Sequence, residues 1–126
     1  MDADVLLFFD GRPASLALYE AFARRVTEAV PGTQIKAQKT QISFYNRHLF
    51  ACVSFLPARR AKDRPRDYIT VTLGLDHPLD SPRVDVKTEA QPNRWTHHLL
   101  IASESEIDGE LMDWVRQAAD FAAGKR

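Results

Sequence analysis

At 126 residues, with 44% apolar and 27% charged side chains, the chain has the length and composition of a single globular domain, residues 1–126, that closes its core without disulfide or metal staples. Its 17 Lys and Arg balance 17 Asp and Glu, which excludes a chain held to nucleic acid or a membrane surface by bulk charge. The lone cysteine, Cys52, excludes an internal disulfide and fits a reducing, cytoplasmic setting.

The first apolar run, residues 5–9, is far too short to span a bilayer. It has no basic stretch before it and no small-residue cleavage site after it, so it reads as a turn of helix in a chain addressed to no membrane. Asp10-Gly11-Arg12-Pro13 ends it, where Gly11 permits a positive φ and Pro13 suits the first turn of a second helix. Leu16, Tyr19, Ala23, Val26 and Val30 then recur on one helical face, with Arg24, Arg25 and Glu28 off it, until Pro31-Gly32 breaks the pattern.

Alternating strand patterns follow. Residues 40–45 and 49–56 flank a short turn at Asn46-Arg47-His48 and read as a hairpin. Residues 68–75 put Ile69, Val71, Leu73 and Leu75 on one face and Tyr68, Thr70 and Thr72 on the other. Asp76-His77-Pro78 and Asp80-Ser81-Pro82 punctuate a turn before a shorter strand at 84–88, and Gln91-Pro92-Asn93 turns into a strand at 95–102. Strands joined without intervening helices favour an antiparallel meander. Ser103 and Glu106 stand at capping-box spacing, so the closing helix is expected to start there. Its stripe is Ile107, Leu111, Trp114, Val115, Ala118, Phe121 and Ala122, ended by Gly124 ahead of the basic tail Lys125-Arg126. The predicted fold is α+β: a two-layer sandwich in which a meander of about five strands carries an N-terminal and a C-terminal helix on one face.

Several motifs recur in this order: Phe9-x-Gly11-x-Pro13, Lys39-Thr40-Gln41-Ile42-Ser43-Phe44, Phe50-Ala51-x-Val53, Asp80-Ser81-Pro82-Arg83, Arg94-Trp95-x-His97-His98, and Glu106-Ile107-Asp108 with Trp114. Through them the chain resembles, over nearly its whole length, a bacterial and archaeal family known as domain of unknown function 5655. The resemblance implies a single compact domain. Relatives stand alone or as modules in longer chains, some labelled predicted transport proteins and some beside nuclease-like domains. No activity or catalytic residue comes with the family.

If both helices cover the apolar face made by Ile42, Phe44, Val53, Phe55, Val71 and Leu73, the opposite face is left uncovered. Strand parity lines up Gln41, Ser43 and Tyr45 there with Cys52 and Ser54, then Tyr68, Thr70 and Thr72, and further along Arg83, Asp85, Lys87 and His98. A polar or anionic small ligand would meet charge from Lys39 and Arg83, a stacking surface from Tyr45, and hydrogen bonds from Gln41, Ser43 and His98. The plain alternatives for that face are solvent or a second copy of the chain in a homodimer.

The segment 58–67 carries Arg59, Arg60, Lys62, Arg64 and Arg66, and its cations suit weak, salt-sensitive contact with a phosphate backbone. Asp85-Val86-Lys87 matches the acid-x-lysine half of a metal-dependent nuclease site, with Asp67 or Asp76 as the second carboxylate. His97 and His98 point to opposite faces, which argues against a shared metal and for a hydrogen-bonded, partly buried His97. No cofactor or metal is expected. The sequence therefore predicts a binding or interaction module rather than an enzyme.

Overall fold

The helix expected after Pro13 forms as α2 (Pro13–Ala29), with Pro13 in its first turn, in a computed structural model that describes residues 2–125. Arg126, the second residue of the expected basic tail, lies outside the described residues. Gly11 does take a positive φ, +72°, and so turns the chain from the short α1 (Ala3–Phe8) into α2. The buried residues of α2 are Ser15, Leu18, Tyr19, Ala21, Phe22 and Val26, while Leu16 and Ala23 are only half-buried. Its inner face is thus rotated from the expected stripe toward Leu18 and Phe22. The aromatic rings set this angle: Phe22 meets Phe44 edge-on at 5.4 Å, and Tyr19 lies between Phe9 at 5.2 Å and Phe44 at 6.2 Å.

The described residues build a six-stranded antiparallel sheet from β1 (Gln34–Ala37), β2 (Ile42–Tyr45), β3 (Leu49–Ser54), β4 (Ile69–Leu75), β5 (Val86–Gln91) and β6 (Arg94–Ile101). The α+β sandwich is as expected, with one strand more than the sequence suggested. Its order, β1-β2-β3-β4-β6-β5, departs from a simple meander because the last two strands exchange places. Burial accounts for the exchange. Strand β6 carries Leu99, Leu100 and Ile101, each 1% exposed, and so belongs inside the sheet next to β4. Strand β5 is exposed along its whole length and carries Lys87 and Glu89, the composition of a protected edge. The missed β1, with Gln34 and Lys36 exposed, is the opposite edge.

Register separates the two faces. Ile42, Val53, Val71 and Leu99 form one cross-strand row under the helices, and Phe44, Ala51, Leu73 and His97 form the next. His97 is fully buried in that row, further inside than expected. It is satisfied there: its Nε2 accepts the Leu79 N–H at 2.9 Å and its Nδ1 faces the Leu73 carbonyl at 3.4 Å. Burial holds the imidazole below its ordinary pKa, so it is neutral in the core.

The closing helix starts later than Ser103. The capping box between Ser103 and Glu106 forms, but around a single 3-10 turn, Glu104–Glu106. The chain then leaves helical geometry at Ile107, which is buried and whose carbonyl accepts from Arg25 Nη1 at 2.8 Å. Helix α3 (Gly109–Ala123) begins afresh behind Asp108, whose carboxylate accepts the Leu111 N–H at 3.0 Å. Its buried side, including Leu111, Trp114, Val115 and Ala118, lies on β3 and β4 beside α2. Among the described residues no helix is long and apolar enough to cross a membrane.

Candidate functional site

The row between the two apolar ones points away from the helices: Ser43 on β2, Cys52 on β3, Thr72 on β4 and His98 on β6 are aligned across four strands. This second face is not left bare. After β3 the chain folds back over one end of it, held by the Thr70 hydroxyl donating to the Leu56 carbonyl at 2.6 Å and Tyr68 Oη donating to the Phe55 carbonyl at 3.2 Å. Arg59 extends the cover. Its Nε donates to Asp85 Oδ1 at 2.7 Å, and the other carboxylate oxygen of Asp85 accepts the Leu100 N–H at 2.7 Å. A segment whose cations were expected to offer themselves to a phosphate backbone is thus fastened at three places to the polar face.

Between this cover and the β1–β2 turn lies a cavity of about 570 Å3. Its floor is Cys52, Ser54, Thr72 and His98. Its wall is a stacked aromatic pair, Phe8 from α1 and Phe55 from the end of β3, with ring centroids 5.2 Å apart and planes 14° apart. Lys39, Thr40 and Gln41 form the opposite lip, and Leu56 closes one end. The volume is that of a small-molecule site, and the lining combines apolar surface with a few directed polar groups.

The floor groups are oriented by one another. Thr72 Oγ1 lies 2.8 Å from His98 Nδ1, with Cys52 opposite Thr72 on the neighbouring strand. Burial pushes the Cys52 thiol up and outweighs the lowering influence of the Thr72 hydroxyl, so the sulfur stays protonated. Burial pulls the His98 imidazole down, so it is neutral and offers hydrogen bonds rather than charge. The turn is braced as well: Gln41 Nε2 donates to Ser43 Oγ at 3.0 Å, and Ser43 donates to Gln38 Oε1 at 2.9 Å. Ser43 is therefore a buried brace that sets Gln41, whose carbonyl oxygen remains as an acceptor at the lip. Lys39 is exposed there without an ion-pair partner among the described residues. The cavity lining contains this one cation and no carboxylate.

Of the sequence-predicted ligand residues, Lys39, Gln41 and His98 come together around this cavity, with Ser43 directly behind Gln41. Tyr45 is half-buried on β2 toward the hairpin end, outside the lining. Arg83 is somewhere else altogether. It precedes β5, so strand parity does not reach it; its Nη1 donates to Asp108 at 2.9 Å and to Glu110 at 2.9 Å, and its Nη2 to the Glu106 carbonyl at 2.6 Å, with the guanidinium over the Trp114 ring. It secures the start of α3. Phe8 is a residue that no strand pattern could place, whereas Phe55, expected on the helix-covered face, does meet Phe9 of the core edge-on at 5.5 Å and lines the cavity as well. Phe55 lies beyond the last paired residue of β3, where alternation stops.

The other candidates are dispersed. Asp85 is committed to Arg59 and Leu100, whereas Lys87 Nζ donates to the Leu79 carbonyl at 2.9 Å from the histidine-97 row, so the acid-x-lysine pair does not converge. Among the described residues no three His, Cys, Asp or Glu side chains gather at one point. In the basic segment Arg59 is paired with Asp85 and Arg60 with Asp63, while Arg64 and Arg66 line a different cavity from the one above. A family model described as "Domain of unknown function (DUF5655)" matches residues 7–122. No curated protein and no solved structure matches the chain.

Proposed function

The chain belongs to the DUF5655 family, and we propose that this member is a small-ligand binding module whose site is the cavity on the second sheet face. The observation that carries this reading is the combination found there: an aromatic wall from Phe8 and Phe55, a hydrogen-bonding floor from Ser54, Thr72 and His98, and an unpaired Lys39 at the lip. Such a site favours a flat, partly apolar ligand with one anionic end. The ring slides along the aromatic wall, its polar edge meets the floor, and its anion reaches Lys39. Binding rather than turnover suits the chemistry, since Cys52 is held as a thiol and no carboxylate in the lining is there to orient His98 or share its proton. A protonated, buried Cys52 also suits action in a reducing cytoplasm.

The test is a titration of the isotope-labelled protein with 2-naphthoate and, separately, with the neutral 2-naphthalenemethanol, followed by amide NMR. Saturable shifts at residues 39–41 and 54–56, tighter for the acid than for the alcohol, are expected. Ser54→Phe, which fills the cavity, should abolish both. Shifts spread over the surface, or binding undiminished in Ser54→Phe, would refute the assignment.

A further inference from the structure

A second cavity, of about 720 Å3, lies between the start of α2 and the segment that ends at Tyr68, and one of its lining residues, Arg12, reaches over the Phe55 ring. We propose that it is a phosphate site, binding the dianionic phosphate group of a small phosphorylated ligand. This inference does not rest on the ligand assigned to the first cavity. Three guanidinium groups, Arg12, Arg64 and Arg66, face one carboxylate, Asp67, in its lining, a surplus of two positive charges. None of the three arginines has an ion-pair partner among the described residues, unlike Arg59 and Arg60 on the same segment. In a chain with no net charge, that local surplus is uncompensated by anything in the cavity.

Two of the three arginines are held rather than loose. The Arg12 guanidinium stacks over the Phe55 ring at 4.1 Å, and Arg64 Nη2 donates weakly to the Arg59 carbonyl at 3.4 Å. The Nε of Arg64 is closed off from bulk solvent and has no hydrogen-bond partner among the described residues. A water molecule does not reach this Nε, so a ligand oxygen meets the terminal nitrogens of the fork instead. The two walls are fastened together by the Ser15 hydroxyl donating to the Tyr68 carbonyl at 2.9 Å. The start of α2 adds to this charge: Arg12 occupies the N-cap position without a side-chain bond to the first turn, and since Pro13 has no N–H and the Leu16 N–H donates to the Arg12 carbonyl at 3.0 Å, the amides of Ala14 and Ser15 are the ones left to meet an anion. A phosphate dianion matches both the forked guanidinium donors and the charge surplus, and the rest of the volume accommodates the group that carries it.

Titration of the labelled full chain with inorganic pyrophosphate and inorganic phosphate, at ionic strength held constant with chloride, tests this. Saturable shifts are expected at the amides of Ala14 and Ser15 and at the side-chain Nε of Arg64 and Arg66. Arg66→Gln, at an exposed position that leaves folding unaffected, is expected to weaken pyrophosphate binding about tenfold, and Arg64→Gln at least as much. Lys62→Gln removes the same charge outside the cavity and is expected to change affinity by less than roughly twofold. Linear shifts that chloride reproduces, or equal losses in Lys62→Gln and Arg66→Gln, would overturn the proposal. So would a single-stranded oligonucleotide that binds equally well with and without a 5′-phosphate, because the segment would then track a backbone rather than hold one dianion.

Discussion

The two faces of the sheet use the same strands in different ways. On one, the rows led by Ile42 and Phe44 are covered by α2 and α3, and apart from His97 the contacts are apolar. On the other, the row of Ser43, Cys52, Thr72 and His98 is covered only in part, by a segment without regular helix or strand beyond one short turn. Helices seal a face by shape, so they leave little space behind. A loop fastened at single hydrogen bonds leaves gaps between its fastenings, and both candidate cavities lie along its path. Stability is therefore concentrated on the first face and binding capacity on the second. Phe44→Ala should make the strongest case for this division. Phe44 is fully buried against Tyr19 and Phe22, and its truncation is expected to destabilise the domain by about 3–5 kcal/mol in urea unfolding. Cys52→Ala, one strand over but on the second face, should cost about 1 kcal/mol. Equal losses would end the distinction.

His97 is where the first face departs from its own rule, and so it sharpens the contrast. His97→Leu leaves the Leu79 N–H and the Leu73 carbonyl without their partner, at an expected cost of about 2 kcal/mol. Acid should probe the same residue without mutation. Burial lowers the folded imidazole's pKa below the ordinary 6.5, so the unfolded chain binds the proton more readily. The stability this group contributes is complete above the unfolded value and is lost as pH falls below 6.5. Urea midpoints measured from pH 7.5 to 5 should decline in the wild type, and less so in His97→Leu. An identical decline in both would assign the acid sensitivity to other groups.

The helix-covered face was largely legible in the sequence because its signals are local. Periodicity marks α2 and α3, strand patterns mark five of the six strands, and both report burial on one side of an element. What local patterns lack is the position of one element relative to another. Nothing in residues 84–88 says that this strand ends outside β6 rather than between β4 and β6; the all-apolar end of β6 does, but only once the pairing is known. The same limit divides the candidate site. Parity brought Gln41 and His98 to one face, because both lie in or beside paired strands. It failed for Arg83, which sits in a turn before β5, and it had no means of finding Phe8, whose place against Phe55 is a purely tertiary fact. The spacing of Ser103 and Glu106 was read correctly as a cap, yet a 3-10 turn uses that cap, and Asp108 starts the helix.

The cover on the second face can be loosened directly. Thr70→Val keeps the shape and removes the hydroxyl that donates to the Leu56 carbonyl. The expected loss is about 1 kcal/mol, small beside that of Phe44→Ala. Its effect should be confined to one region: amide hydrogen exchange in residues 56–67 is expected to rise about fivefold, with α2 and α3 unchanged. Faster exchange throughout the domain would mean that the cover and the core open together, and the two faces would then be one cooperative unit.

Lys39 provides the smallest change in stability and the most selective test of the division. It is exposed at the lip of the first cavity and touches none of the packed rows, so Lys39→Met should leave unfolding within about 0.5 kcal/mol of wild type. Its role as the only cation in that lining predicts a different consequence for binding. The methionine keeps the aliphatic stem over the lip, so the neutral 2-naphthalenemethanol should bind as before. The preference for 2-naphthoate should disappear, because no other charge in the cavity can replace the ammonium. If the acid keeps its advantage in Lys39→Met, the ammonium does not hold the anion, and Arg12, whose guanidinium lies 4.1 Å over the Phe55 ring, would be the cation to remove next.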